Sequence, residues 1–185
     1  GWMIARRELG ALAKRLIADT CDKQRIDPDQ LILHSDRGPS MNSKPVALLL
    51  SDLGVTKSHS RPQVSNDNPY SEAQFKTLKY CPRFPGRFGS IQDARFFCQR
   101  FISWYNKEHR HSGIGLMTPE QVHYGLAQKV YEDRCKVLFA AYDKSPQRFK
   151  GKVPTPQDLP KEAWINKPNT EELESNLLTE VSHCH

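Results

Sequence analysis

Leu31-Ile32-Leu33-His34-Ser35-Asp36-Arg37-Gly38 is the stretch on which the fold turns. Three consecutive branched apolar residues, closed by a polar cluster and a glycine, predict a short buried strand that ends in a tight turn. Upstream, Leu9, Leu12, Leu16 and Ile17 recur at helical spacing and predict a helix over residues 7–20. Downstream, residues 44–53 read as a second helix, stopped by Gly54. A more polar strand follows over residues 55–60. Strand, helix and strand in this order fit an α/β layer fold.

Two carboxylates stand out by their settings. Asp36 lies just past the first strand. Glu72 lies near the start of a helix entered through Asp67-Asn68-Pro69, where Asp67 reads as a cap and Pro69 as a first helical residue. Thirty-five residues lie between the two acids, enough for a helix, a strand and a loop. An α/β layer fold brings such positions to one edge of its sheet. Taken singly, each acid also has an ordinary reading: Glu72 pairs with Lys76 four positions on, and Asp36 is a turn residue beside Gly38. Taken together, they suit phosphoryl transfer, in which carboxylate oxygens hold hard divalent cations and leave room for phosphate and water.

The net charge of +6 is concentrated. Between Ala73 and His111 eight basic residues, Lys76, Lys79, Arg83, Arg87, Arg95, Arg100, Lys107 and Arg110, face only Asp93 and Glu108, so this segment carries the whole excess. Its position next to Glu72 predicts a face that tracks a phosphate backbone without reading sequence. Mean hydropathy is −0.68, and no apolar run approaches the ~18 residues of a membrane span. Five scattered cysteines with no C-x-x-C pair argue against a zinc ribbon and for reduced thiols in a cytoplasmic protein.

Further along, Ser90 reads as the N-cap of the longest helix, whose buried stripe is Ile91, Ala94, Cys98, Phe101, Ile102 and Tyr105. Phe96, Phe97 and Phe101 read as core. Thr118-Pro119-Glu120-Gln121 is a capping box opening another helix. Residues 127–168 read as a helical, then proline-rich extension, and the acidic residues 169–185 as a disordered tail. His34 reads as a hydrogen-bonding residue at the strand end. His109 and His111 have no third ligand at usable spacing and read as structural or phosphate-contacting. His183-Cys184-His185 reads as an incidental tail.

Three blocks in order carry a family resemblance: Leu33 to Gly38; Ser58-His59-Ser60-Arg61-Pro62 with Asp67-Asn68-Pro69-Tyr70-Ser71-Glu72-Ala73-Gln74-Phe75-Lys76-Thr77-Leu78-Lys79; and Trp104-Tyr105-Asn106-Lys107-Glu108-His109-Arg110-His111-Ser112-Gly113 with Leu116-Met117-Thr118-Pro119-Glu120. Together they resemble the insertion-sequence transposases of the DDE, or retroviral-integrase, superfamily. The resemblance covers residues 1–125, and the stretch around Trp164-Ile165-Asn166-Lys167-Pro168 resembles one subgroup's tail. It implies an α/β, RNase H-like integrase core over residues 1–126, with Asp36 and Glu72 as two of three catalytic, metal-holding carboxylates. It also implies Mg²⁺ or Mn²⁺ as cofactor, and element-end and target DNA as partners. Lys76, Lys79, Arg83, Arg87, Lys107 and Arg110 become the DNA-contacting set. A homo-oligomeric full-length form follows too, in the bacterial cytoplasm and on the nucleoid when DNA is bound.

The sequence departs from the family pattern in three places. His109-Arg110 stands where Arg-Pro is common, and Ser40-Met41 where Gln-Tyr is common. The family's first catalytic aspartate belongs on a strand upstream of Gly1-Trp2, which itself resembles the family's third strand. Asp19, Asp22, Asp27 and Asp29 come too late in the fold to replace it. The expectation is therefore a partial core lacking its first strands and inactive alone. The alternative is a DNA-binding or oligomerisation module that no longer needs catalysis.

Overall fold

The computed structural model describes residues 1–61, 67–162 and 165, which build two compact units, one on residues 1–86 and one on 87–163. In the first unit, helix α1 (Gly10–Gln24) leads into strand β1 (Ile32–Ser35), helix α2 (Lys44–Asp52), strand β2 (Thr56–His59) and helix α3 (Pro69–Lys79). Helix α1 starts and ends later than its leucine spacing predicts. Leu9 is extended as the N-cap, and the stop is Arg25 in the left-handed region (φ 51°) rather than a glycine. The added turn carries Cys21, which is buried one turn beyond Ile17.

Strands β1 and β2 run parallel in register from Ile32 opposite Thr56 to Ser35 opposite His59, joined by α2 as the crossover. The core of this unit is Ile17 and Cys21 from α1, Val46 and Leu50 from α2, and Val55, with Leu31 and Leu33 packed against them. Strand β1 departs from the buried strand its apolar run suggests: Leu31 and Leu33 are half-buried, whereas Ile32 is 66 % exposed. The core takes alternate side chains only, so one face of the pleat is covered. Among the described residues β1 and β2 are the two strands of the sheet, and Gly1-Trp2 forms no strand. Extended backbone becomes a strand only where a neighbour completes the ladder.

Gly54 ends α2 with φ +62°, and a β-carbon there would meet Pro28 Cβ at 2.9 Å. Its carbonyl accepts the Asp29 N–H at 2.8 Å, tying the turn before β1 to the turn before β2. Only glycine meets both demands.

The second unit contains α4 (Ile91–Lys107), α5 (Pro119–His123) and α6 (Ala127–Lys144). Ser90 caps α4 by accepting the Asp93 N–H at 3.1 Å. Ala94, Cys98 and Phe101 form the buried stripe, and Phe97 stacks on Phe101. Phe96 is not core: it is 63 % exposed, with the Arg100 guanidinium over its ring at 5.6 Å. It lies about 200° around the helix from Ala94, so the phase that buries one exposes the other. Beyond α4, an antiparallel bridge pairs His111 with Met117, the latter fully buried. The capping box forms as read, Thr118 Oγ1 accepting from Gln121 N–H and Gln121 Oε1 from Thr118 N–H. Arg134 of α6 donates to the carbonyls of Gly115 and Leu116, both at 2.6 Å. Most of the stretch from Trp164 to Pro168 and all of residues 169–185 lie outside the described residues.

Candidate active-site edge

Both candidate carboxylates belong to the first unit. Asp36 leaves the C-terminal end of β1 and is exposed. Its Oδ1 accepts the Gly38 N–H at 3.1 Å, and its main-chain carbonyl accepts from His59 Nδ1, at the end of β2, at 3.1 Å. The local turn of the ordinary reading is therefore present, and it leaves the carboxylate facing solvent. A β-carbon on Gly38 would stand 3.1 Å from Asp36 Oδ1 and 3.6 Å from Glu8 Oε1. Glu8 is a neighbouring acid that the sequence does not mark, because it lies ahead of α1 with no motif around it.

Glu72 sits in the first turn of α3 and is exposed. Its ordinary reading fails: among the described residues it has neither an ion pair with Lys76 nor any side-chain hydrogen bond. A carboxylate at a helix N-terminus is favoured by the helix dipole, and this one is uncommitted.

The approach to α3 is held by residues that sequence reasoning assigned lesser roles. His34 of β1 donates from Nε2 to the Asp67 carbonyl at 2.8 Å, and its Nδ1 lies 3.0 Å from Ser58 Oγ. Because a carbonyl can only accept, Nε2 carries the proton and Nδ1 is free to accept from the serine. Asp67 is not the cap it was expected to be. Asn68 occupies the N-cap position without a side-chain cap bond, and the Asp67 carboxylate is directed to Arg61 instead. Those bonds from Arg61 hold the buried Asp67 carboxyl down at about 2. What the sequence could have shown is only the six-residue spacing of an arginine and an aspartate. That pairing is not a recognised local pattern.

The basic set divides between the units. Lys76 and Lys79 occupy the last turn of α3, and Arg83 follows it; all three are exposed. Arg87, Lys107 and Arg110 are exposed on the second unit, where Arg110 reaches the Leu116 carbonyl at 3.4 Å. His109 and His111 pack ring against ring at 4.5 Å beside Tyr105, and the Nε2 of His111 is buried with no hydrogen-bond partner among the described residues. Their role in the described structure is packing.

Oxygen donors of the Asp36 and Glu72 type suit a hard divalent cation. Among the described residues, however, no three His, Cys, Asp or Glu side chains are grouped to hold one. Among the same residues no helix is long and apolar enough to cross a membrane, and Cys21, Cys81, Cys98 and Cys135 are unpaired thiols.

Comparison with known proteins agrees with this layout. Residues 53–119 match the family model described as integrase core domain, a span that includes Glu72 and the block from Trp104 to Pro119 but starts after Asp36. No curated protein matches the chain. Among solved structures, the catalytic core domain of BIV integrase superposes with a TM-score of 0.50 at 22 % identity, covering 70 % of this chain and 80 % of that one. Residues 53–119 are thus similar to an integrase core domain, and the fold is the RNase H-like one of an integrase catalytic core.

Proposed function

We propose that this chain is part of a transposase that cuts and joins DNA strands with Mg²⁺ or Mn²⁺. The observation that carries the reading is the uncommitted state of Glu72, in a helix whose lead is bonded to the strand that delivers Asp36. A solvated carboxylate with no side-chain partner among the described residues is available to a cation. Asp36 and Glu72 would be the two carboxylates holding the metal. When bound, the ion would activate the attacking oxygen and stabilise the leaving one at phosphorus. The chain's own part is to fix its carboxylates and to exclude wrong geometries by holding the two segments that bear them. Lys76, Lys79 and Arg83, with Arg87, Lys107 and Arg110, would neutralise phosphates of element-end and target DNA. The family resemblance expects a third carboxylate beside these two, and the described residues show no such group of three.

The lack of a three-ligand group among the described residues favours a second reading, a DNA-binding or oligomerisation module without catalysis. One experiment separates the two. The chain is expressed behind the upstream segment of its reading frame and assayed for strand cleavage and joining with Mn²⁺. The transposase reading expects activity that Asp36→Asn and Glu72→Gln each abolish while DNA binding survives. Undiminished activity in those variants, or none in the parent, sinks it.

A further inference from the structure

Helix α3 is tied to the end of the sheet by two side chains that no motif reading gives a function. His34 stands two residues before Asp36, and the Asp67 carbonyl it holds at 2.8 Å stands five residues before Glu72. Ser60 Oγ also lies 3.5 Å from the same ring nitrogen. Arg61, directly after Ser60, grips the other side of Asp67. Its main-chain N–H and Nε donate to Oδ2 at 2.7 and 3.0 Å, and its Nη2 donates to Oδ1 at 3.0 Å. The planar fork of arginine fixes the carboxylate in orientation as well as in place. The Asp67 side chain is 7 % exposed, so its bonds compete with little water.

A salt bridge and a histidine bond of this kind can simply close a loop. Their location argues for more. Each engages Asp67 immediately ahead of the α3 N-cap, one through its main chain and one through its side chain, and their own anchors are β1 and the end of β2. Few rotatable bonds separate Asp67 from the first turn of α3, so the direction in which Glu72 leaves the helix is set by this grip.

We infer that His34, Arg61 and Asp67 act as a positioning latch, which sets Glu72 against Asp36 for joint binding of one divalent cation. The inference rests on the reading that these two carboxylates share a metal. His34 and Arg61 touch neither metal nor DNA in this scheme; they act through Asp67. Partners that orient metal ligands typically change affinity by about tenfold to a hundredfold when removed.

The test uses the ¹⁵N-labelled chain with Mn²⁺ as the probe, reading paramagnetic broadening of the amides around Asp36 and around Glu72. A metal-free arm reads hydrogen exchange of the Glu72 amide, which bonds to the Asn68 carbonyl at 3.3 Å. In the parent, Mn²⁺ broadens both regions at the same concentration. In His34→Ala the Asp36 region still broadens, the Glu72 region does not, affinity falls about tenfold or more, and Glu72 exchange quickens. His34→Gln, which keeps an N–H donor, restores both readouts. Arg61→Gln leaves β1 untouched and repeats the loss if the histidine variant does not fold. Variants that keep both regions broadened with unchanged affinity overturn the latch. A parent in which Mn²⁺ broadens neither region overturns the shared-metal reading and with it the positioning role. The exchange arm then shows whether the His34 contact orders the helix start at all.

Discussion

Arg61 and Asp67, six positions apart ahead of α3, close on each other, the carboxylate taking the main-chain N–H and two guanidinium N–H groups of the arginine at 2.7 to 3.0 Å. The pair is asymmetric: the Arg61 side chain is 63 % exposed and that of Asp67 only 7 %. Aspartate is therefore the partner whose protonation matters.

The Asp67 carboxyl titrates at about 2 in the folded chain, against an ordinary value of 3.8, chiefly through its side-chain bonds to Arg61. A depressed folded value means that the unfolded chain binds the proton first. The stabilisation is complete above about pH 4 and is lost as pH falls toward 2. We expect Asp67→Asn to flatten the acid side of the stability profile in that window and to leave the neutral side lowered. Urea unfolding followed from pH 2 to 7 checks this. An unchanged acid limb in the variant would show that the pair does not govern it.

The two glycines at φ +62° and +71°, Gly54 and Gly86, separate conformational strain from steric conflict. Around Gly86 nothing lies within 4 Å of a β-carbon, whereas at Gly54 Pro28 Cβ lies at 2.9 Å and Asp29 N at 3.2 Å. Gly86→Ala should cost roughly 1 kcal/mol, from the left-handed backbone alone. Gly54→Ala should cost roughly 2–4 kcal/mol, because overpacking against the Pro28 turn is added. Denaturant midpoints of the two variants, measured side by side, give the difference. Equal losses would mean that the Pro28 turn yields freely.

The elements that proved legible were those encoded within a few residues. Ser90 and the Thr118–Gln121 box place their own acceptors three positions from their donors, so spacing alone specifies the bonds. The exposure of Phe96 was also available, since the stripe of Ala94, Cys98 and Phe101 fixes the phase of α4; grouping the phenylalanines by type concealed it. Ile32 was misjudged because an apolar run does not tell whether one face of a sheet is covered or both. Asp67 was misjudged for another reason. Its partner Arg61 lies six positions away, and no local pattern announces such a bond. The two candidate carboxylates stand in ordered motifs, but that Glu72 has no side-chain partner among the described residues, while Asp36 accepts the Gly38 N–H, is a property only of the fold.

An Nε2 that is buried and without a partner among the described residues makes His111 sensitive to acid. Burial, and secondarily the neighbouring His109, lower its affinity for a proton below that of an ordinary imidazole. Unfolding releases it to a value near ~6.5. The unfolded chain then binds the proton first, so the second unit loses stability as pH falls below about 6.5, and the loss levels off once the folded histidine also titrates. Exchange of the amides of α4 and α5 should quicken from pH 7.5 to 5.5, after correction for intrinsic rates. His111→Phe should remove that dependence while keeping the ring contact with Tyr105, now 4.7 Å. A dependence that survives in the variant would assign it to another group.

Lys76 and Lys79 offer the sharpest test of the phosphate-tracking face. They project from the last turn of α3, exposed and with no ion-pair partner among the described residues. Cations so placed lose nothing internal when they meet a phosphate, apart from their favourable position at the helix C-terminus. Each phosphate contact contributes about 0.9 to the slope of log K against log salt on duplex DNA. Replacing both lysines by glutamine should therefore flatten that slope by about 2 and weaken binding by a similar factor on unrelated DNA sequences. Fluorescence anisotropy over a salt series on two sequences measures both effects. A slope that does not change would move the DNA path away from α3. A loss confined to one sequence would mean that these residues read bases, which a mobile lysine at a helix end is poorly suited to do.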